Sequence, residues 1–355
     1  MSRESLPESC HWLFRSLAQC AVLVGLLCIG DVSTAQGAGS SAQLDALIRA
    51  ARAEGEVIAY SAQPQPVNQR FAQAFTAKYG VKISFVRLSS GPLLQRYASE
   101  AGAGNIAADL LFFPVNGSET FLAEAKKQGW LQPITAAEVP ALASGEYPVT
   151  FFRNTPAFLT PVVSIIPWAF GYDTQKVAAK DAPKEWTDLL DPKWKGQIVR
   201  TDPQVAIGHY VLWRALLARY GEGYYAKLRD QSPRTNNPEA VAAAQALAAG
   251  EGSIMLLTTG AVIQSLKDKG APVEVVTPAF TSGVEMGIYL SAKAKHPNAA
   301  RLAIHYAMTR EGSKVQSSDP GSVDIFEPTG LPKEYQSPTA DTPAFYEQIN
   351  KLLVK

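Results

Sequence analysis

Residues 56–113 read EVIAYSAQPQPVNQRFAQAFTAKYGVKISFVRLSSGPLLQRYASEAGAGNIAADLLFF, and this stretch predicts the class of fold. Short apolar runs at Glu56–Tyr60, Val81–Leu88 and Asp109–Phe113 are typical of buried strands. Segments with apolar residues at helical spacing, 68–78 and 92–101, lie between them. Strands that alternate with helices build a parallel sheet covered by helices on both faces.

A second set of strands and helices follows in the later part of the chain, roughly over residues 164–281. The predicted strands there are Ile165–Tyr172, Gln197–Thr201, Ser253–Leu257 and Val273–Val276. A strand over 287–291 and a helix over 297–309 come next. Residues 318–340 are rich in Ser, Pro and Asp and predict a loop before a last helix at 343–353. The sequence therefore indicates two αβ units in one chain.

The N-terminus has the pattern of an export signal. Arg3 and Arg15 precede an almost wholly apolar run over 17–29, which is too short for a spanning helix of about 20 residues. Small residues at Ser33-Thr34-Ala35 predict cleavage after Ala35, and Gly37 or Ala38 are nearby alternatives. The signal peptide is thus assigned to 1–35, followed by a flexible leader over 36–42. The alternative is an uncleaved membrane anchor.

Charge and cysteine usage exclude several classes of protein. There are 33 Lys and Arg residues and 32 Asp and Glu residues, so the net charge of the chain does not indicate binding to nucleic acid. All three cysteines, at positions 10, 20 and 28, precede the predicted cleavage site. The mature protein would therefore have no disulfide and no Cys nucleophile. We expect an exported protein with an ordinary apolar core.

Motifs for catalysis, cofactors or metals are absent or out of context. The chain has no Gly-x-Ser-x-Gly and no phosphate-binding loop of the Gly-x-x-x-x-Gly-Lys type. The histidines of the mature chain, His209, His296 and His305, are not at metal-ligand spacing and predict structural roles. We therefore expect no enzymatic activity, no cofactor and no metal ligands.

An ordered set of motifs resembles the exported substrate-binding proteins of ABC importers. The resemblance is to extracellular solute-binding protein family 1, specifically the group that includes ferric-ion-binding proteins. The motifs are Glu54-Gly55-Glu56-Val57 leading to Tyr60-Ser61, Leu88-Ser89-Ser90-Gly91, Ala108-Asp109-Leu110, Pro167-Trp168-Ala169-Phe170-Gly171-Tyr172-Asp173-Thr174, Trp186-Thr187-Asp188-Leu189-Leu190-Asp191-Pro192-Lys193-Trp194-Lys195-Gly196-Gln197-Ile198, Gly250-Glu251-Gly252-Ser253-Ile254 and His296-Pro297-Asn298-Ala299-Ala300.

The resemblance implies an α/β fold of the two-lobe, periplasmic-binding-protein-like kind (type II). Each lobe is a mainly parallel sheet flanked by helices, and hinge strands join the two. On this basis residues 40–163 and 282–320 form lobe 1, and 164–281 form lobe 2. The C-terminal tail and helix, 321–355, are assigned to neither lobe. The implied partners are a small-molecule ligand and the membrane permease subunits of an ABC importer.

Carried over position by position, the resemblance also implies ligand-binding residues at the ends of strands. From lobe 1 these are Ser61, Gln63, Ser89, Ser90 and Asn116. From lobe 2 they are Trp168, Thr201, Asp202, Thr258 and Thr259. Phe280 is a candidate on the hinge side. For Trp168 and Phe280 the alternative is that both are core residues, and for the Ser and Thr pairs it is that they cap helices.

The chain departs from the iron binders of this group at the place of their tyrosines, among others. They hold ferric ion with two adjacent tyrosines after the strand that here ends at Leu257, and this chain has Thr258-Thr259-Gly260 there. Tyr224-Tyr225 lies in a helix start that is structural in the family. Ser89-Ser90 and Thr258-Thr259 each precede a helix, whose N-terminus favours an anion. The leading hypothesis is therefore a periplasmic binding protein for a small organic anion. The rivals are a ferric-ion binder that uses other ligands or a synergistic anion, and an exported enzyme.

Overall fold

The computed structural model describes residues 31–202, 207–237, 240–339 and 343–353. Most of the predicted signal peptide, residues 1–30, lies outside this range. Among the residues that the structure describes, no helix is both long enough and apolar enough to cross a membrane. The helices are α1 (Asp31–Glu54), α2 (Gln65–Tyr79), α3 (Ser90–Gly102), α4 (Glu119–Gln128), α5 (Pro140–Ala143), α6 (Tyr210–Tyr220), α7 (Glu222–Asp230), α8 (Ala240–Ala248), α9 (Gly260–Lys267), α10 (Pro297–Ala307), α11 (Arg310–Gln316) and α12 (Pro343–Leu353).

The strands of the described chain fall into two main sheets and a small two-stranded one. They are β1 (Glu56–Ser61), β2 (Lys82–Arg87), β3 (Leu110–Pro114), β4 (Leu131–Gln132), β5 (Phe152–Asn154), β6 (Leu159–Pro167), β7 (Ala169–Asp173), β8 (Ile198–Thr201), β9 (Arg234–Asn237), β10 (Ile254–Thr258), β11 (Val273–Val276), β12 (Phe280–Thr281), β13 (Gly283–Ser291) and β14 (Glu334–Tyr335).

The first sheet has seven strands in the order β2-β1-β3-β13-β6-β5, with β4 paired to β13. Strand β1 runs parallel to β2 and β3, as the alternation of strands and helices predicts. Strand β13 is antiparallel to both β3 and β6, so it returns the chain through the middle of the sheet. Phe71 and Phe75 of α2 pack with Phe112 and Tyr306 in the cluster that covers one face.

The second sheet has five strands in the order β11-β7-β10-β8-β9. Strand β10 is parallel to β8 and antiparallel to β7. Large buried aromatic side chains, among them Phe170, Trp186, Trp213 and Tyr225, fill the cluster on one face. Burial of such side chains contributes about 1.5–3 kcal/mol each, so this sheet has a core of its own.

The chain passes from one sheet to the other at Trp168, which corrects the prediction of a single strand over Ile165–Tyr172. That segment is two strands: β6 pairs in the first sheet and β7 in the second. Residues 164–167, predicted at the start of lobe 2, therefore pair with β13. Because both strands are buried and apolar, the spacing of hydrophobic residues does not show where one strand ends and the other begins. The backbone N–H of Trp168 donates to the carbonyl of Ser282, 2.8 Å away, where the chain crosses back.

The C-terminal residues span both units. Strand β14 runs parallel to β12, next to the crossing. Helix α12, over the predicted residues 343–353, packs Phe345, Ile349 and Leu353 into the aromatic cluster of the second sheet. The predicted flexible leader, 36–42, is instead helical as part of α1, which continues without a break into the amphipathic segment that follows. The predicted helix over 297–309 ends at Ala307, and α11 follows it.

Candidate functional site

The candidates of the first sheet gather at the carboxyl edge of its parallel strands. The N–H of Leu88 donates to the carbonyl of Ser61 at 3.0 Å, which sets Ser89 beside the end of β1. The N–H of Ala62 donates to the carbonyl of Phe112 at 2.8 Å, so Asn116 follows on the other side. Residues distant in sequence thus lie at one edge, where ligands bind in sheets of this kind.

Ser61 and Gln63 are buried and already have protein partners. The Ser61 hydroxyl donates to Oδ1 of Asn68 at 2.8 Å and accepts the N–H of Gln63 at 3.1 Å. The amide of Gln63 donates to Oε1 of Gln316 in α11 at 3.3 Å. These contacts join the end of β1 to α2 and α11 and so stabilise the backbone at this edge of the sheet.

Ser89 is exposed and Ser90 half-buried at the start of α3. Ser89 is the N-cap residue, yet its side chain accepts no hydrogen bond from the helix. Its backbone carbonyl accepts the N–H of Leu93 at 2.9 Å. The capping alternative therefore does not account for this hydroxyl.

The candidates of the second sheet also meet at one edge. Thr201 ends β8 and Thr258 ends β10, and these strands are parallel neighbours. Thr258 pairs with Ala169 on the other side, directly after Trp168. Asp202 is half-buried next to Thr201. The structure therefore brings Trp168, Thr201 and Thr258 together from segments up to 90 positions apart.

Several of these side chains carry buried polar atoms without a hydrogen-bond partner. They are Oγ1 of Thr258, Oγ1 of Thr201, Nε1 of Trp168 and Oδ1 of Asn116. An unpaired buried donor or acceptor costs about 1–3 kcal/mol, so such groups are rare in folded proteins. A polar ligand bound at the two strand edges would supply partners for these four groups.

The end of β10 has an unusual backbone that sequence reasoning missed. Leu257 has φ of 65°, and the pairing of β10 with β7 shifts register between Met255 and Thr258. This is an uncommon conformation for a branched residue and occurs mainly at functional sites and bulges. Because of the shift, the side chains of Thr258 and Thr259 point in other directions than they would in a regular strand.

Helix α9 begins directly after this bulge and meets the first unit. Thr259 is its N-cap residue, and its side chain makes no capping bond. A Cβ on Gly260 would lie 2.6 Å from the carbonyl oxygen of Pro320, so the backbones of α9 and this segment are in close contact. Asp319 forms an ion pair with Arg70 of α2. The helix start thus faces an element tied to the first sheet.

His209, which the sequence assigned a structural role, packs against a site candidate. Its ring lies edge-on to that of Trp168, with centroids 4.7 Å apart. Burial lowers the pKa of His209 to about 4, so the imidazole is neutral near pH 7. The signal that could have identified it is its position shortly after Thr201-Asp202, at the start of α6.

Arg200 is a second residue that the sequence analysis did not single out. It is buried, and burial lowers its pKa to about 10, against the opposing effect of Asp202. Its Nη2 donates to the carbonyl of Leu353 at 3.1 Å, at the end of α12. A cation favours the C-terminus of a helix, so Arg200 anchors α12 to the strand that ends at Thr201.

Phe280 does not share the strand edge of Thr258. Its ring lies 4.5 Å from the guanidinium carbon of Arg219 and 6.0 Å from the ring of Tyr220, both in α6. Its carbonyl accepts the indole N–H of Trp186 at 2.7 Å. Phe280 instead lines a separate pocket beside the crossing.

No group of three or more His, Cys, Asp or Glu side chains able to hold a metal occurs in the described ranges. Tyr224 and Tyr225 are buried, and their hydroxyls donate to the carbonyls of Trp186, at 3.1 Å, and Trp213, at 2.5 Å. Burial raises the pKa of both phenols well above the usual value. They are therefore unsuited to act as tyrosinate ligands.

Comparison with known sequences identifies relatives along most of the chain. A sequence model of the family described as bacterial extracellular solute-binding protein matches residues 105–319. An uncharacterized protein of Haemophilus influenzae is 27% identical over 318 residues, which are 84% of this chain and 85% of that protein.

Comparison with solved structures gives the same answer for the fold. Iron-bound HitA from Pseudomonas aeruginosa superposes with a TM-score of 0.62 at 19% identity, covering 84% of this chain and 97% of that one. The periplasmic binding protein AfuA from Actinobacillus pleuropneumoniae, with exogenous fructose-6-phosphate bound, has a TM-score of 0.59 at 21% identity over 84% and 96% of the two chains. The predicted α/β fold of a two-lobe periplasmic binding protein is confirmed.

Proposed function

Because the chain belongs to the bacterial extracellular solute-binding protein family, we propose that it captures a small organic anion between its two lobes. It then delivers this solute, as a monomer, to the membrane permease subunits of an ABC importer. In this proposal the seven-stranded and five-stranded sheets are the cores of the lobes. The ligand is held at their facing strand edges, by residues from both.

The observation that carries the proposal is that the hydroxyl of Thr258 is buried and makes no hydrogen bond. Its side chain is fully buried at the end of β10, and its hydroxyl has no partner. The next residue, Thr259, starts α9 without using its side chain as a cap. A helix N-terminus presents unpaired N–H groups and a partial positive charge, and these favour a carboxylate or phosphate. Ser89 and Ser90 offer the same arrangement at the start of α3.

A ferric-ion binder is the second candidate, favoured by the likeness to iron-bound HitA. Two features argue against it. Thr258 and Thr259 stand where the resemblance implies paired tyrosines, and Tyr224 and Tyr225 are occupied by buried hydrogen bonds. Ferric ion prefers anionic oxygen ligands, whereas threonine offers neutral hydroxyls. A synergistic anion on the helix termini would be required.

The experiment is a thermal-shift screen of the purified protein. The probes are fructose-6-phosphate, citrate, inorganic phosphate, spermidine and ferric citrate. A ligand at about 100 times its dissociation constant adds roughly 2.7 kcal/mol to the free energy of unfolding, which is readily detected as a higher Tm. Stabilisation by organic anions supports the proposal. Stabilisation by spermidine alone, or only when ferric ion is present, contradicts it.

A hit is then titrated by calorimetry into Ser90→Ala and Thr259→Ala. We expect ten- to a hundredfold weaker binding, because hydrogen bonds to a charged group contribute about 1.5–3 kcal/mol each. The matched control is Lys126→Ala, an exposed residue of α4, which should change nothing. Mass analysis of the recovered ligand separates binding from catalysis, since a binding protein returns the compound unaltered.

We also propose that the chain reaches the periplasm through a cleaved signal peptide, residues 1–35. The family is extracellular, and the cationic start followed by a short apolar run supports export by this route. Intact-mass analysis of protein from the periplasmic fraction tests it. A mature chain that begins near Gln36 supports the proposal, and one that retains residues 1–30 contradicts it.

A further inference from the structure

A turn of the first unit lies against the start of α9 in the second unit. The sequence Asp319-Pro320-Gly321-Ser322 has the residues of a type II turn, with proline second and glycine third. The structure contains this turn: the N–H of Ser322 donates to the carbonyl of Asp319 at 3.0 Å, and Gly321 has φ of 80°. Glycine adopts this conformation without strain, so the sequence itself favours the shape of the turn.

The turn is fixed to the first unit at both of its ends. At its start, Asp319 forms an ion pair with Arg70 of α2. Directly after it, the N–H of Val323 donates to the carbonyl of Ile165 in β6 at 2.8 Å. The helix that leads into the turn, α11, packs on α2. The turn therefore moves with the first sheet, whereas α9 follows β10 and belongs to the second.

Two glycines, one from each unit, allow the two backbones to meet. A Cβ on Gly260 would lie 2.6 Å from the carbonyl oxygen of Pro320 and 3.0 Å from Cα of Gly321. A Cβ on Gly321 would lie 3.0 Å from Cα of Gly260. The neighbouring atoms all belong to the backbone, so neither surface can adapt by rotating a side chain. The contact is made by the protein alone and does not involve a ligand.

This contact lies beside the crossing, on the side of the strand edges. Gly260 comes shortly after Thr258, whose partner in β7 is Ala169, the residue that follows Trp168. Ile165, to which the other end of the turn is bonded, lies three positions before Trp168. A contact so close to the pivot sets the angle between the two units, because a small displacement there grows with distance from the pivot.

We propose that the turn Asp319–Ser322 is a closure latch. It holds the start of α9 against the first unit and thereby keeps the space between the two strand edges closed by contacts of the protein itself. The latch rests on the proposed function in one respect, which is that this space is the interlobe site. A closed state that is already populated costs the ligand less to complete, so the latch would strengthen binding and slow the release of the solute.

Double electron–electron resonance between two spin labels tests the latch without any ligand. The labels are placed at Lys126→Cys in α4 and Lys227→Cys in α7, which are exposed positions of the first and second unit. A second pair joins Lys126→Cys to Ser265→Cys in α9 and covers rotation about another axis. The native cysteines all precede the proposed cleavage site, so the exported protein carries only the introduced ones. We expect one narrow distribution for each pair, centred at the distance in the structure. Distributions centred at longer distances would overturn the proposal.

Gly260→Ala should lengthen the mean label distance by about 3 Å, because the contact must widen by about 1 Å to reach an ordinary separation of about 3.5 Å and the labels lie farther from the pivot. The matched control is Gly91→Ala at the start of α3, where a Cβ meets nothing within 4 Å and the distances should not change. Unchanged distances in a folded Gly260→Ala would overturn the proposal.

Far-ultraviolet circular dichroism verifies that each variant is folded. If Gly260→Ala does not fold, Asp319→Ala decides instead, since it removes the ion pair with Arg70 and leaves α9 intact. That variant should broaden the distributions towards longer distances, and distributions identical to those of the parent chain would overturn the latch.

This outcome is separate from that of the ligand screen. If no organic anion stabilises the protein, the proposed function fails, while the measured label distances still decide whether the latch exists. If the parent chain is open in solution, the latch fails, while any anion found by the screen remains a ligand.

Discussion

The ring of His209 packs edge-on against the indole of Trp168, with 4.7 Å between their centroids. The two residues are 41 positions apart and meet at the point where the chain leaves one sheet for the other. Both side chains are buried, at 5% and 7% exposure. The contact therefore links the crossing to the start of α6.

Acid should destabilise the protein through the buried imidazole of His209. Burial lowers the pKa of His209 to about 4 from an ordinary value of about 6.5. Between these values the unfolded chain binds a proton that the folded chain does not, so the free energy of unfolding falls as the pH falls through this window. One such group contributes a slope of up to about 1.4 kcal/mol per pH unit.

Urea unfolding of the wild type and of His209→Gln at several values between about pH 7 and about pH 4 measures this slope. The variant should lose stability less steeply than the wild type. His305→Gln, on α10, is a second test, since burial also lowers the pKa of His305 to about 4 and its replacement should reduce the slope in the same way. Identical slopes in all three proteins would mean that neither imidazole stays neutral in the folded state.

Removing the Thr258 hydroxyl should separate stability from binding. Thr258→Val keeps the shape of the side chain and deletes an unpaired buried polar group, so the free energy of unfolding without ligand should rise by about 1 kcal/mol. Ligand affinity should fall about tenfold or more. The control is Thr160→Val, whose buried hydroxyl donates to the Phe158 carbonyl at 3.3 Å and whose loss should destabilise the protein. A destabilised Thr258→Val with unchanged affinity would assign Thr258 to the core.

The contact between Gly260 and Pro320 should govern how closely the two units approach. A Cβ at Gly260 would meet the Pro320 carbonyl oxygen at 2.6 Å and Cα of Gly321 at 3.0 Å, and both are backbone atoms that cannot rotate away. Gly260→Ala should therefore weaken ligand binding at least tenfold, an estimate based on the loss of one charged contact. Calorimetric titration measures the affinity.

Gly223→Ala is the matched control, because a Cβ there meets nothing within 4 Å and the residue lies in α7. That variant should gain about 0.5–1 kcal/mol of stability and bind as the wild type does. If Gly260→Ala also binds as the wild type does, the close contact plays no part in holding the ligand.

Purified protein mixed with ferric citrate should show no visible tyrosinate-to-iron band. The Tyr225 hydroxyl donates to the Trp213 carbonyl at 2.5 Å, and burial raises the pKa of both Tyr224 and Tyr225. Absorbance spectra of the wild type and of Tyr225→Phe should be indistinguishable in the visible range. A band that appears in the wild type and disappears in Tyr225→Phe would restore the ferric-ion hypothesis.

Local pattern was sufficient for the parallel strands of the first sheet and for the last helix. The alternation of apolar runs and helical spacing over 56–113 predicted the parallel strands β1, β2 and β3, because the period of side-chain burial is a property of neighbouring residues. The last helix was predicted at the residues where it lies, 343–353, between a proline and the end of an amphipathic run. The presence of Thr258-Thr259 directly after the apolar run of β10 is likewise a property of the sequence.

Tertiary contacts decided where these elements meet. The break at Trp168 lies between two buried apolar strands, and only their pairing with β13 and β10 separates them into two sheets. The bulge at Leu257 has no local marker, since neither glycine nor asparagine occurs there. The resemblance made Phe280 a candidate on the hinge side, and the structure adds that its ring packs on Arg219 of α6. The sequence by itself determined which groups stand at the strand ends. The packing of the two sheets determined which of these groups remain unpaired, because a residue's hydrogen-bond partners and its burial come from segments tens of positions away.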